Sequence, residues 1–84
     1  MEKDTAVIIF NIKKRNFTVD LEIPLFISAN ELVFALNSAY ELQIDVTNIK
    51  NCYLKSENPI ALLRGNKTLA EFGVRNGSVI NYTE

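Results

Sequence analysis

Two strand-like segments joined by only four residues constrain the fold of this chain most strongly. Residues 5–12 read TAVIIFNI and residues 17–23 read FTVDLEI, and both segments are rich in β-branched and aromatic side chains. In the second segment apolar residues alternate with polar ones, which is typical of a strand buried on one face. The polar linker, residues 13–16, is short enough for a turn. The chain therefore begins with a predicted β-hairpin, which Pro24 ends.

A helix is predicted directly after the hairpin. Ser28 and Glu31 have the spacing of a capping box, in which each side chain accepts a hydrogen bond from the backbone N–H of the other residue. At about 100° per residue, the apolar residues that follow, up to about Leu42, form one stripe that would pack on a sheet. They are Leu32, Val33, Leu36, Ala39 and Tyr40. Phe34 points away from this stripe.

The second half of the chain predicts three short strands and a helical turn. The strands cover residues 52–55, 60–63 and 78–82. Thr68 and Glu71 form a second capping box over a helical turn that Gly73 ends. Because the chain crosses over through the long helix, a parallel strand pair is expected. We predict a single domain, residues 1–84, with an α+β fold: a five-stranded mixed sheet packed on one main helix, plus a short helical turn.

The composition is that of a globular domain without general affinity for nucleic acid. Hydrophobic residues make up 48% of the chain and charged residues 23%, and the formal net charge is -1. Such a balance gives no overall attraction to phosphate backbones or anionic lipid. The one basic cluster, Lys13-Lys14-Arg15, is interpreted as a solvated turn. We therefore expect protein partners and no nucleic acid.

The start of the chain and its cysteine content favour a cytoplasmic protein. Residues 1–4, MEKD, lead into strand-like sequence and not into the apolar run of a secretory signal. The sequence has no apolar stretch long enough to span a bilayer, so direct membrane insertion is not expected. A single cysteine, Cys52, cannot form an internal disulfide, which favours a reducing compartment.

The residue inventory predicts no enzyme, cofactor or metal site. The chain has no histidine, so the usual general base and the commonest metal ligand are missing. Cys52 alternates with Leu54 toward the inner face, where a thiol behaves as a small hydrophobic group. The acidic residues are scattered, and the glycines form neither a phosphate-binding loop nor a dinucleotide fingerprint. We expect no catalytic, cofactor-binding or metal-ligating residue.

The whole chain resembles ubiquitin in layout, and its closing stretch is similar to that of ubiquitin in detail. The similar residues are Leu63, the run TLAEFGV at 68–74, Asn76-Gly77 and the strand ending at Tyr82. Within this superfamily the chain is most similar to the YukD and EsaB proteins, stand-alone ubiquitin-like components of the type VII secretion systems of Gram-positive bacteria. They share the strand-rich start, a helix after a proline-containing link, and this closing pattern.

The resemblance implies a β-grasp fold and a function in protein secretion. A YukD/EsaB-type protein would be a non-covalent adaptor at the cytoplasmic side of the membrane. It would dock on a core component of the secretion machine, as an accessory or regulatory part of the export of WXG-type substrates. In that role it would lie at the membrane only through its protein partner. This pathway is an expectation from resemblance and not from the residues.

Two alternatives remain open for the mode of action. Ubiquitin-like modifiers and sulfur carriers need a flexible tail that ends in two glycines, whereas this sequence ends NYTE and its three glycines are all internal. We therefore expect no covalent attachment, unless such a tail is missing after Glu84. The second alternative is a homodimeric scaffold. The expected state is a monomer or a weak homodimer.

The sheet face opposite the helix is the predicted binding surface. Strand alternation places on it residues of the first, third and last strands, which are adjacent in a β-grasp sheet. They are Val7, Ile9, Tyr53 and Val79, with Lys55 and Asn81 at the rim. A contiguous apolar patch of this kind is typical of an interface. The competing interpretations are a loop that covers strand 1, or a one-residue register shift that exchanges the two faces. Phe34 is a second candidate, unless it packs against the loop at residues 25–27.

Overall fold

Five strands and one α-helix lie within residues 4–83, which the computed structural model describes, apart from the side chain of Ile49. The elements are β1 (Thr5–Ile12), β2 (Phe17–Pro24), α1 (Ala29–Tyr40), β3 (Leu54–Glu57), β4 (Ala61–Leu63) and β5 (Val79–Tyr82), with 3₁₀ turns at Lys13–Arg15 and Ile49–Asn51. The sheet order is β2-β1-β5-β3-β4. β1 and β5 run parallel and the other neighbours antiparallel. The predicted α+β fold with a mixed sheet is confirmed.

The N-terminal hairpin forms as its alternation predicts. β1 and β2 pair over their whole length, from Thr5 opposite Pro24 to Ile12 opposite Phe17. Ile23 is buried, whereas the polar residues between the apolar positions of β2 are exposed. The linker closes with Asn16 in the left-handed conformation at a φ of 52°, which asparagine adopts more readily than most residues.

The basic linker is also attached to the helix. Nη1 of Arg15 donates a 2.6 Å hydrogen bond to the carbonyl oxygen of Tyr40, and its Nη2 donates one of 2.6 Å to that of Glu41. These carbonyls lie at the C-terminal end of α1, where backbone acceptors lack a partner within the helix and a positive charge is stabilising. Arg15 is therefore a cap for α1, so the interpretation of the whole cluster as a solvated turn is wrong for this residue.

The capping box that begins α1 is confirmed. The Ser28 hydroxyl accepts from the Glu31 N–H at 3.1 Å, and the Glu31 carboxylate accepts from the Ser28 N–H at 3.3 Å. Four residues of the predicted face are buried or half-buried: Leu32, Val33, Leu36 and Tyr40. Ala39 was predicted on the same stripe but is exposed, because it lies at the margin of the stripe near the end of the helix.

β3 begins two residues later than the sequence predicts and extends to Glu57. The reason is the pairing of its neighbours. Leu54 already lies opposite Leu63, the last residue of β4, so residues 52–53 have no partner strand on that side. At the other end Glu57 pairs with Val79 of β5, which keeps the chain extended beyond the predicted turn. The turn is consequently displaced to residues 58–60.

The second capping box is confirmed at the closing turn. The Thr68 hydroxyl accepts from the Glu71 N–H at 3.2 Å, and the Glu71 carboxylate accepts from the Thr68 N–H at 3.2 Å. The hydrogen-bonded turn that follows ends at Gly73, whose φ of 85° favours glycine. Just before this box, the carbonyl of Lys67 accepts from the N–H of Ala29 at the start of α1, so the closing segment also satisfies a free helix donor.

The hydrophobic core lies between α1 and the inner face of the sheet. The largest fully buried side chains include Ile8, Phe10, Ile12, Leu42, Leu54, Leu63, Leu69 and Ile80. Cys52 is 3% exposed, as its alternation with Leu54 predicts, and its Sγ lies 3.6 Å from the carbonyl oxygen of Asp45 and 3.5 Å from that of Asn48. The core therefore occupies one face of the sheet and leaves the other without a covering element among the described residues.

Candidate protein-interaction surface

The open sheet face is the face opposite α1, and two rows of cross-strand neighbours define its centre. The first row contains Asp20, Ile9, Val79 and Glu57, from β2, β1, β5 and β3 in that order. The second row contains Thr18, Asn11, Asn81, Lys55 and Leu62, from all five strands. Val7 and Glu22 form a further pair beyond the first row. Each side chain is placed by the register of the sheet.

The apolar part of this face is a trio of Val7, Ile9 and Val79, here named the apolar trio. Val7 is 49% exposed, and the other two are partly exposed. On the opposite side of β1, Ile8 and Phe10 are fully buried. This pattern contradicts both competing interpretations, because a covered strand would hide Val7 and a register shift would expose Phe10. The predicted orientation of β1 is confirmed.

Tyr53 does not join the apolar trio, so the predicted contiguous patch is wrong at this residue. β3 and β5 are antiparallel, which sets Val79 against Glu57 and Asn81 against Lys55. Tyr53 precedes the strand and lies about 13 Å along the chain direction from Glu57. It lines a separate depression of about 260 Å³ with Tyr82 and Thr83 among other residues.

A chain of side-chain hydrogen bonds crosses four strands of the open face. The Thr18 hydroxyl donates to Oδ1 of Asn11 at 2.7 Å, and Nδ2 of Asn11 donates to Oδ1 of Asn81 at 2.9 Å. Nδ2 of Asn81 then donates to the Glu57 carboxylate at 2.8 Å. Asn81 was predicted at the rim, and it instead lies at the centre of the face, 4% exposed with both amide groups bonded.

Sequence reasoning missed three members of this chain: Asn11, Thr18 and Glu57. A signal was present for Asn11, since it is the one polar residue between Ala6 and Ile12 in an otherwise apolar strand. Its position opposite Asn81 follows only from the parallel β1–β5 register. The hydrogen bonds hold these amides in place, so the centre of the open face presents a fixed polar row beside the apolar trio.

Acidic side chains lie mainly beside the apolar trio and basic ones mainly at the other end of the open face, with Glu57 next to both groups. The exposed carboxylates of Asp20, Glu22 and Glu57 surround the apolar trio on both sides. At the other end of the face, Lys13 and Lys55 line a shallow depression of about 550 Å³ together with Glu57 and two exposed apolar residues, Ile60 and Leu62. A partner that covers the trio would therefore be favoured if it carries Lys or Arg beside its apolar contacts.

Phe34 lies on the solvent side of α1 and is 48% exposed. The loop at residues 25–27 does not bury it, because Leu25 and Ile27 pack against the core and Phe26 is itself 66% exposed. Phe34 therefore stays a candidate contact on a different face of the molecule. It does not belong to the same surface as the apolar trio, because α1 covers the opposite face of the sheet.

Comparison with known families decides the affiliation of the chain. A family model described as "WXG100 protein secretion system (Wss), protein YukD" matches residues 7–81. The chain belongs to the YukD family. The resemblance that the closing motif predicts is thereby confirmed. A search of curated protein sequences found no match.

Solved structures similar to this YukD-family chain are ubiquitin-like domains. The C-terminal ubiquitin-like domain of mouse tubulin-specific chaperone e has 11% identity and a TM-score of 0.70, with 100% of this chain and 92% of that chain covered. The UBL domain of Plasmodium falciparum Dsk2 has 15% identity and a TM-score of 0.60, with 94% and 99% covered. At such identities the likeness shows the fold alone, and it confirms the ubiquitin-like β-grasp.

Two further properties of the YukD-family chain concern membranes and metals. Over residues 4–83, no helix has the length and apolar character that crossing a bilayer requires. Within the same part of the chain, His, Cys, Asp and Glu side chains form no group of three or more that could hold a metal ion.

Proposed function

We propose that this chain is a non-covalent adaptor of the WXG100 secretion system, in the manner of the EsaB proteins of Gram-positive bacteria. It would act in the cytoplasm, as an accessory or regulatory subunit that docks on a core component at the membrane. The family assignment supports the pathway. The observation that supports the docking surface is the exposure of the apolar trio, which lies uncovered on the sheet face opposite α1.

The open face has the composition of a specific interface. The apolar trio offers surface whose removal from water favours association. The carboxylates around it add selectivity for a positively charged partner and increase its rate of encounter more than its affinity. Lys55 and the buried Asn81 lie side by side in the second cross-strand row, which borders the trio, and Tyr53 would contact only a partner that extends past this row.

The proposed activity is binding and not catalysis. The sequence contains no histidine, and its single thiol, Cys52, is buried in the core. A rigid sheet face with a bonded polar row is suited to non-covalent recognition, since its side chains are already ordered before a partner arrives.

The test is recovery of secretion components from native membranes with the tagged protein, together with export of WXG-type substrates in a strain that carries each variant. The double variant Val7→Gln/Val79→Gln replaces two of the three apolar side chains of the trio without adding charge. Phe34→Gln is the matched control on α1. We expect the double variant to recover no core component from membranes and to support less export. Phe34→Gln should recover the component and support export as the unaltered protein does. Circular dichroism and urea unfolding confirm that each variant is folded.

Two results of the recovery and export experiments would contradict the proposal. One is recovery of no secretion component by the unaltered protein, with normal export when its gene is deleted. The other is loss of recovery in Phe34→Gln with full recovery in the double variant, which would move the site to α1. Light scattering at several concentrations addresses the oligomeric state. A dimer that the double variant abolishes would assign the open face to a homodimeric scaffold instead.

A further inference from the structure

β2 is an outer strand with a long free edge. The sheet order places β2 at one edge and β4 at the other. β4 has three residues and is protected by its shortness, whereas β2 has eight. Its pairing with β1 continues without interruption and it contains no lysine or arginine, so the features that could block this edge are the carboxylates of Asp20 and Glu22 and Pro24 at its last position.

The free edge of β2 presents the backbone groups of Thr18, Asp20 and Glu22. The Leu25 N–H donates to the Asp4 carbonyl at 2.7 Å, which continues the β1–β2 register. In an antiparallel ladder every second residue bonds to the same neighbour, so the odd-numbered residues of β2 face β1 and the even-numbered ones face outward. The hydrogen bond of Ile9 supports this assignment. Ile9 lies opposite Asp20, but its N–H donates to the carbonyl oxygen of Ser78, on the other side of β1.

The two sides of this edge differ in chemistry. On the side of the open face, Asp20 and Glu22 are exposed carboxylates separated by one residue. On the helix side, Val19 and Leu21 are only partly covered, and Phe17 is 39% exposed. A strand added here would place alternate side chains against the carboxylates and the remaining ones over the apolar row. The complementary segment has lysine or arginine alternating with apolar residues.

A second copy of this chain does not complement the edge. Antiparallel pairing of the outward-facing residues of two copies, centred on the strand, sets Asp20 directly opposite Asp20 and Thr18 opposite Glu22. Like charges directly opposite each other on a sheet are destabilising. The charge pattern therefore favours a foreign strand over a homodimer at this edge.

We propose that the free edge of β2 is a second binding site, which takes an extended segment of a partner protein as a sixth strand. Basic side chains of that segment pair with Asp20 and Glu22, and its apolar side chains cover Val19 and Leu21. Hydrogen bonds to the backbone of the three outward-facing residues provide attachment that does not depend on sequence. This site shares Asp20 and Glu22 with the border of the apolar trio, but it goes beyond the proposed function because it uses the backbone edge of β2 and does not require the trio itself.

The test uses a capped heptapeptide in which valine alternates with lysine, titrated into the ¹⁵N-labelled full chain at low salt. We expect the largest amide shifts and slowed amide exchange at Thr18, Asp20 and Glu22. A heptapeptide with glutamate in place of lysine should bind at least about tenfold more weakly, because two favourable charge pairs become repulsive. N-methylation of the central lysines, whose N–H groups would face β2, should abolish binding.

Two variants of the chain complete the experiment. Asp20→Lys/Glu22→Lys should reverse the preference, so that the glutamate peptide binds the tighter of the two. The double variant Val7→Gln/Val79→Gln should still bind the lysine peptide with unchanged affinity. This result distinguishes failure of the β2 site from failure of the proposed function. The proposal is overturned by absence of binding, by equal affinity for both peptides, by shifts centred on the apolar trio, or by a dimer of the unliganded chain that perturbs β2.

Discussion

Asn11 and Asn81 join the two central strands of the sheet through their side chains, with a 2.9 Å hydrogen bond from Nδ2 of Asn11 to Oδ1 of Asn81. The two residues are direct neighbours in the parallel β1–β5 pair. Since Asn81 is 4% exposed and also donates to Glu57, its amide is fully engaged on both sides. The pair aligns β1 and β5 in the register that exposes the apolar trio.

Removal of this amide should destabilise the fold. Asn81→Ala leaves the Asn11 amide without its acceptor, and we expect the free energy of unfolding to fall by about 1–3 kcal/mol. Urea unfolding measures the change. The control is Lys55→Ala, an exposed residue directly opposite Asn81 in β3, which should remain within about 0.5 kcal/mol of the unaltered chain.

The direct interaction is isolated by a double-mutant cycle. Asn11→Ala and Asn81→Ala each break the same hydrogen bond, so their effects should not add. We expect a coupling energy of about 0.5 kcal/mol or more between them. Additive effects would mean that the two amides contribute through other neighbours and that the bond between them is unimportant for stability.

Arg15 should stabilise α1 through the end of the helix. Arg15→Ala removes both 2.6 Å hydrogen bonds to the terminal carbonyls, and we expect a loss of about 1 kcal/mol in urea unfolding. Arg15→Lys should recover only part of this loss, because an ammonium group lacks the planar fork that reaches two acceptors. Lys13→Ala, in the same turn, is the control. An equal effect of Lys13→Ala would point to net charge and not to capping.

Local features of this fold could be predicted from the sequence, because each depends on residues a few positions apart. The two capping boxes involve side chains three residues apart, and the hairpin follows from alternation over seven residues in β2. The orientation of Val7, Ile9 and Val79 follows from the same alternation. Their placement on the open face is confirmed, whereas their contact with a partner stays a prediction.

Features that depend on register could not be predicted in the same way. The separation of Tyr53 from Val79 is decided by which residue of β3 faces β5, and no local pattern contains that information. The Asn11–Asn81 bond joins residues 70 positions apart, and the Arg15 cap spans 25 positions. In each case the sequence shows the residue type but not the partner, since the partner is fixed by packing of the whole sheet.

Glu71 should make stability depend on pH. Hydrogen bonds from the Thr68 backbone N–H and then from its hydroxyl lower the pKa of the Glu71 carboxyl, and the nearby charge of Lys67 acts in the same direction. A lowered pKa in the folded state means that the stabilisation is present above the pKa of the unfolded chain and is lost as pH falls through the folded value. The free energy of unfolding should therefore decrease between about pH 5 and pH 3.

The variant that isolates this effect is Glu71→Gln, which keeps an acceptor in the capping box but cannot titrate. Its free energy of unfolding, measured in urea at a series of pH values, should decline less steeply in the acid range than that of the unaltered chain. Asp45 has a pKa lowered by the Thr47 hydroxyl and N–H, so part of the slope should persist. An unchanged slope in Glu71→Gln would contradict the assignment.

Cys52 should be inert in the native protein, because reagents reach its thiol only when the structure opens. The side chain is 3% exposed and its Sγ is in contact with the carbonyls of Asp45 and Asn48. We expect alkylation by iodoacetamide to be at least about a hundredfold slower than in the unfolded chain and to accelerate as urea is added, since opening requires several kcal/mol. The control is Asn51→Cys in a Cys52→Ala background, an exposed position beside the core. Its thiol should react at the rate of the unfolded chain, and an equal rate for native Cys52 would show that the loop before β3 opens freely.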